Sequence, residues 1–179
     1  KGETEQYMKM TGRSKEQAES DYESNIDAMM TEMDQFNLSD ELSNSYRQLF
    51  KDVYAKAKYT VKDAEKMDDK DGYYVTVEIE QMTGLFNGIQ EELMTEFTEW
   101  ANSFDADTYP TEDEMYEQMY QMMYDLMSAR LDSITYNDPQ EVVVEVIGED
   151  NVYSISDGSM TELDEALLDV ATELSLIHI

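Results

Sequence analysis

Two short stretches and one isolated residue hold the side chains from which chemistry could be built. The first is DDKDG, residues 68–72. Placing Gly72 at the glycine of an EF-hand loop puts Asp69, Asp71 and Glu78 at ligand positions three, five and twelve. Calcium needs hard oxygen donors, yet the first ligand position falls on Met67, and the flanking residues alternate as strands do rather than as helices. A polar hairpin turn is the better account. The second stretch is EMYEQMYQMMYDLM, residues 114–127. On a helix Met115, Met119, Met122, Leu126 and Ala129 form one stripe, and Tyr116, Tyr120, Met123 and Met127 form its neighbour. Thioethers could bind Cu(I) or offer a pliable groove to an apolar ligand or a partner helix. A wide buried face needs fewer assumptions, with tyrosines at its edge keeping their hydroxyls wet.

The isolated residue is His178, the one histidine of the chain, inside the terminal LSLIHI (residues 174–179). Paired carboxylates such as Glu91 and Glu92, or Glu112 to Glu114, could serve as acid and base. Such work requires a pKa shifted by burial or a partner, and 42 acidic residues give no way to choose among them. There is no cysteine, so disulfides, thiol catalysis and cysteine-ligated zinc are excluded. No phosphate-binding glycine loop, GxSxG elbow or HExxH pair occurs in the sequence. The expectation is therefore no catalytic residue, no cofactor-binding residue, no metal ligand, no cofactor, and no enzymatic activity.

The net charge of −30 is unevenly placed: residues 1–70 carry −5, and residues 71–179, with Arg130 as their lone cation, carry −25. Such a surface repels phosphate backbones and anionic bilayers, which disfavours nucleic-acid and electrostatic membrane binding. A cationic partner, or loosely held divalent ions in the acidic second half, would be compatible. No apolar run approaches the length of a membrane span, so direct insertion is not expected. At 179 residues, with 41% hydrophobic side chains, the chain can bury one sizeable core.

Those residues must be positioned by a readable series of elements. Ser14 with Gln17 forms a capping box ahead of Ala18, Tyr22, Ile26, Met29, Met33 and Phe36. Ser39 caps a second helix with Leu42, Tyr46, Leu49, Val53 and Ala57 on its inner face. YTVKDAEKM and YYVTVEIEQ then alternate around DDKDG as a hairpin, with Tyr73, Val75, Val77 and Ile79 on one face. Helical spacing returns at Phe86, Ile89, Leu93, Phe97, Trp100 and Phe104. Thr111 with Glu114 opens a long helix from about Glu112 to Ile134. EVVVEVIGEDNVYSIS reads as a second hairpin turning at Gly148 to Asn151. Ser159 with Glu162 caps a last helix bearing Leu163, Leu167 and Val170. The order ααββααββα implies one α+β domain over residues 1–173, a small antiparallel sheet of two hairpins packed against helices.

Several of these segments carry a resemblance. KGETEQYMKMTGRSKEQAESDYESNIDAMM, LSDELSNSYRQLFKDVYAKAKYTVKDAEKMDDKDGYYVTVEIEQM and the later DPQEVVVEVIGEDNVYSIS resemble a group of uncharacterised secreted lipoproteins of Gram-positive, often gut-dwelling, bacteria. The resemblance implies a nuclear-transport-factor-like or cystatin-like α+β fold, held outside the cell by a lipidated cysteine upstream of Lys1. It implies an extracellular, membrane-anchored domain with a binding or structural role in the envelope, and it carries no catalytic residues over. The alternative is a small apolar-ligand carrier, or a carboxylate-based enzyme, using a pocket between sheet and helices with Met115 to Met127 as a wall.

The chain starts at Lys1, and the first helix is expected to be truncated. LSLIHI is also the in-frame translation of CTGTCTCTTATACACATCT, the end of a transposase adaptor used in sequencing-library preparation. Residues 174–179 are accordingly expected to be adaptor-derived, and the whole a metagenomic gene fragment. On that reading His178 is not a functional group.

Overall fold

The computed structural model describes residues 14–31, 33–105, 107–149 and 152–169. Residues 1–13, where the expected truncation would bear, Val170 and the LSLIHI segment with His178 lie outside the described residues. The chain is α+β: among the described residues there are five α-helices, a four-stranded antiparallel sheet and a small two-stranded one. In chain order these are α1 (Lys15–Met30), α2 (Asp40–Tyr54), β1 (Lys58–Lys66), β2 (Gly72–Glu80), β3 (Met82–Thr83), α3 (Ile89–Ala101), α4 (Glu112–Arg130), β4 (Thr135–Tyr136), β5 (Gln140–Glu149), β6 (Val152–Ile155) and α5 (Asp157–Leu167). The expected ααββααββα order is present, with β3 and β4 added to it. Contacts divide the chain into two compact units, each discontinuous in sequence.

The helical unit, Lys1–Ala55 with Leu85–Ser133, contains α1 to α4. Each capping signal has a physical counterpart. The Ser14 side chain accepts from the Gln17 N–H while the Gln17 side chain accepts from the Ser14 N–H, at 3.2 and 2.9 Å. Two of the backbone donors left without a partner at the head of α1 are thereby satisfied. Thr111 and Glu114 do the same for α4. In α2 the 3.6-residue period puts Leu42, Tyr46, Leu49 and Val53 on the buried face. Full burial of each such side chain is worth about 1.5–3 kcal/mol. Ala57 lies beyond the end of this helix. Helix α1 ends at Met30, so Met33 and Phe36 belong to the corner after it, a 3-10 turn over Asp34–Phe36. Two ion pairs join α1 to α2, Glu23 to Lys51 at 2.6 Å and Asp27 to Arg47 at 2.5 Å. Glu23 and Asp27 lie four residues apart on one helix and Arg47 and Lys51 four apart on the other, and the crossed order of the pairs requires the two helices to run antiparallel.

The sheet unit, Lys56–Gly84 with Ile134–Ile179, has strand order β1-β2-β5-β6. DDKDG turns the first hairpin, as its composition implies. Pairing of Val77 with Val61 and Val142, and of Val75 with Ala64 and Val144, puts these residues on one face, while Val143, opposite Thr76, is exposed on the other. On the first face Val77, Ile79 and Val144 meet Ala166 of α5, flanked by Leu163 and Leu167. The opposite face carries Lys58–Glu80, Lys62–Glu78 and Lys70–Glu145 ion pairs. A bulge between Val61 and Ala64 interrupts β1, which is exposed along its whole length. Bulges and lysines are two ways of keeping an edge strand from recruiting another chain.

Two further details differ from the sequence reading. Gly148 is not in the second turn; it lies within β5, paired with Tyr153. A Cβ there would come within 2.7 Å of Asp71 Oδ2 and 2.8 Å of Tyr153 Cε1, so the glycine serves a close approach rather than a turn. The last helix is capped by Ser156, whose side chain accepts from the Ser159 N–H. Ser159 is buried one turn in, and its hydroxyl accepts from the Glu145 N–H at 2.9 Å. The Glu145 carbonyl meanwhile accepts from the Ser156 N–H. Both backbone groups of Glu145 are thus bonded across the corner where β6 becomes α5, which is why Ser159 is not free to cap.

Candidate functional site

The corner between α1 and α2 forms a polar concavity. After the 3-10 turn Asn37 takes the left-handed conformation (φ 56°, ψ 35°), which asparagine tolerates better than most residues. That reversal lets Ser39 cap α2, and Glu117 of α4 fixes the cap by accepting from both the N–H and the hydroxyl of Ser39, at 2.8 and 2.5 Å. The resulting cleft measures about 310 Å³. Buried Met30 and Met33 lie at its base, and Asp34, Asn37, Asp40, Ser43, Asn44 and Arg47 supply its polar groups. The cleft therefore presents carboxylates, amides, a hydroxyl and a guanidinium already engaged by Asp27. Such a set can orient a small polar molecule by hydrogen bonds. Among the described residues that line it there is no histidine or cysteine.

A second concavity of about 370 Å³ runs along the exposed side of α3 and is lined by Gly88, Glu91, Glu92, Thr95 and Glu96. The paired carboxylates Glu91 and Glu92 of the sequence reading thus sit together on an open acidic shelf. Glu92 is engaged by Arg130 at 2.8 Å, and Arg130 also donates to the Leu85 carbonyl at 3.3 Å. Only 15% of the Arg130 side chain is exposed, so the lone cation of residues 71–179 is spent on internal structure.

The other residues singled out by sequence fall in structural positions. Met67 is buried, and Asp71 closes the sheet end: its carbonyl accepts from the Gly148 N–H at 2.8 Å and its carboxylate from the Tyr153 hydroxyl at 3.2 Å. Among the described residues no three His, Cys, Asp or Glu side chains gather to hold a metal ion. In α4 the tyrosines make ring contacts with α2 and with the 3-10 turn before it. Tyr116 and Tyr120 stack on Phe36 at 5.1 and 5.0 Å, and Tyr120 and Tyr124 meet Tyr46 at 6.1 and 5.7 Å. Met127 is the buried residue of the helix, most others are half-buried, and Ala129 is exposed. Glu114 is held in the Thr111 cap, whose N–H and hydroxyl bonds lower its pKa. Tyr46 is pushed strongly up by burial. The Tyr153 phenol is raised by its bond to the Asp71 carboxylate, and the Asp164 carboxyl by partial burial on α5. None of these groups lies in either concavity.

The cleft residues were not picked out in the sequence. DQFNLSDELSNSYR announces a turn followed by a cap, but nothing in its spacing says that the turn encloses space.

With that geometry in hand, comparison with known proteins finds a fold and no sequence family. No family model matches the chain, and no curated protein matches it. Among solved structures the chain is similar to a Bacillus subtilis protein, YcdA, described as a putative lipoprotein. The TM-score is 0.54 at 15% sequence identity, over 90% of this chain and 49% of YcdA. The likeness is one of fold, and this chain spans about half of YcdA's length. Among the described residues no helix is long and apolar enough to cross a membrane.

Proposed function

We propose that this chain is the folded part of a bacterial cell-envelope lipoprotein, held outside the membrane by a lipid anchor, and that it acts by binding rather than by catalysis. The observation that carries the reading is the fold likeness to YcdA over 90% of the chain. The charge of −30 adds to it, since such a surface stays soluble near an anionic membrane and away from nucleic acid. The polar cleft between α1 and α2 is the place we assign to binding, because it gathers both signs of charge, amides and a hydroxyl within about 310 Å³. Carriage of an apolar ligand against α4 is opposed by the rings of Phe36 and Tyr46, which occupy the tyrosine side of that helix.

The test is expression of the complete gene in a Gram-positive host supplied with a clickable palmitate analogue, followed by protease shaving of intact cells. The expected outcome is a lipid-labelled protein that external protease removes, with label lost when the lipobox cysteine is replaced. An unlabelled protein confined to the cytosolic fraction overturns the proposal.

A further inference from the structure

We infer that Asn87 is a site of spontaneous deamidation and isoaspartate formation in the folded protein. Of the asparagines in this chain only Asn87 precedes a glycine. That sequence is necessary but not sufficient, because a folded chain can block the reaction by burying the amide or by engaging the attacking nitrogen. Neither protection operates here. Asn87 is exposed, in the turn that leads into α3. Among the described residues its side chain has no hydrogen-bond partner, and neither does the Gly88 N–H. The bonds of this turn are made by its neighbours instead, Ile89 N–H to Phe86 O at 3.1 Å and Glu92 N–H to Gly88 O at 3.2 Å. Gly88 stands at φ +67° with nothing within 4 Å of the position a Cβ would take, so the turn is open on that side.

The step is an intramolecular cyclisation. The Gly88 backbone nitrogen gives its proton to solvent base and attacks Asn87 Cγ. The new N–Cγ bond closes a succinimide as the Cγ–Nδ2 bond breaks and Nδ2 leaves as ammonia. Water then opens the imide at one carbonyl or the other, giving aspartate, or isoaspartate in which the backbone runs through the former side chain. The net change is one water taken up and one ammonia released, with no oxidant, reductant or cofactor. The product places another carboxylate next to Gly88, which lines the acidic shelf with Glu91, Glu92 and Glu96. The isoaspartyl form also lengthens the backbone immediately before the α3 cap.

By contrast, Asn137 donates through Nδ2 to Gln81 Oε1 at 2.9 Å, and its own N–H is bonded to the Gln81 carbonyl. The experiment ages the purified chain in mildly alkaline buffer at body temperature beside the synthetic peptide Leu85–Gln90. Both are followed by peptide mapping and by isoaspartyl-specific enzymatic methylation. The expected result is conversion at Asn87 in the folded chain at close to the peptide's rate, with every other asparagine slower. The Asn87→Gln variant, which must close a larger and less favourable ring, loses both the acidic charge variant and the methylation signal. A folded-chain rate more than roughly tenfold below the peptide's means a barrier higher by about 1.4 kcal/mol, and would show that the fold protects Asn87 after all. Equal conversion at another asparagine overturns the proposal as well.

Discussion

The Tyr46 hydroxyl donates to the Tyr120 carbonyl oxygen at 2.7 Å, joining the middle of α2 to the middle of α4. Tyr46 is 2% exposed, and its ring also meets Phe50 and Tyr124. A phenol so placed supplies area burial and satisfies its own polar atom at once, which is the condition for burying tyrosine. Tyr46→Phe keeps the ring and loses the bond, so it is expected to lower stability by about 0.5–1.5 kcal/mol. Tyr46→Ala removes the ring as well and is expected to cost about 3–5 kcal/mol. Urea unfolding of the two variants checks the separation; equal losses would mean that the hydroxyl carries the effect.

Arg130 is expected to matter out of proportion to one charge among 54 ionised residues of the Asp, Glu, Lys and Arg types. Its guanidinium spans from Glu92 of α3 to the Leu85 carbonyl while its own Cα sits at the end of α4. Arg130→Lys retains the charge but has one donor point where a planar fork is needed. Arg130→Met leaves the carbonyl without its partner. We expect Arg130→Met to be the more damaging, by about 1–3 kcal/mol relative to wild type, with Arg130→Lys between them. Thermal melts at low and high salt test this: a loss abolished by salt would reduce Arg130 to an ordinary surface pair.

Gly72 and Gly148 are both close approaches, but they differ in what stands in the way. A Cβ on Gly72 would lie 2.6 Å from the Val146 backbone oxygen, which cannot move without disturbing the β2–β5 ladder. A Cβ on Gly148 would meet the Asp71 carboxylate and the edge of the Tyr153 ring, both ends of side chains. Gly72→Ala is therefore expected to cost about 1–3 kcal/mol or more, and Gly148→Ala less. Gly148→Ala should be partly rescued by Tyr153→Ser, which removes the ring. Absence of rescue in a double-mutant cycle would sink that account.

Two carboxyls give opposite pH signatures. Glu114 has its pKa lowered by the Thr111 cap, so its contribution is present above the ordinary value of 4.5 and is lost as pH falls through the lower, folded value. Thr111→Ala should cost about 0.5–2 kcal/mol at neutral pH and less in acid. Asp164 has its pKa raised by partial burial, so its charge opposes folding at neutral pH and the penalty disappears below the ordinary value of 3.8. Asp164→Asn should therefore stabilise at neutral pH and be neutral in acid. Its place near the end of α5 acts in the same direction, since acids are disfavoured at a helix C-terminus. Stability measured across pH separates the two; matching profiles would contradict both.

Local code was enough for most of the elements. The capping boxes at Ser14–Gln17 and Thr111–Glu114, the Ser39 cap and the buried stripe Leu42, Tyr46, Leu49 and Val53 are each a relation among residues three or four apart. The first hairpin was legible for the same reason, its alternation and its DDKDG turn being contiguous. Where two local signals competed, distance decided. Both Ser156 and Ser159 can cap a helix, and only the Glu145 backbone fourteen residues away explains why Ser159 does not. Gly148 looks like a turn residue until Asp71 and Tyr153 are brought over it. In α4 the spacing presents two neighbouring stripes that together read as one wide buried face; Tyr124 stands in neither, and only its ring contact with Tyr46 places it beside Tyr120.

Sequence alone determined the charge, the absence of thiol chemistry and the α+β order, because these depend on residue types and short periods. The tertiary structure decided which groups share a concavity. Asp34 and Asn37 meet Asn44 and Arg47 only because a left-handed Asn37 reverses the chain, and Arg130 reaches Glu92 only because α4 returns beside α3. Neither meeting is encoded in a period along the chain; each is fixed by where a turn sends the next helix.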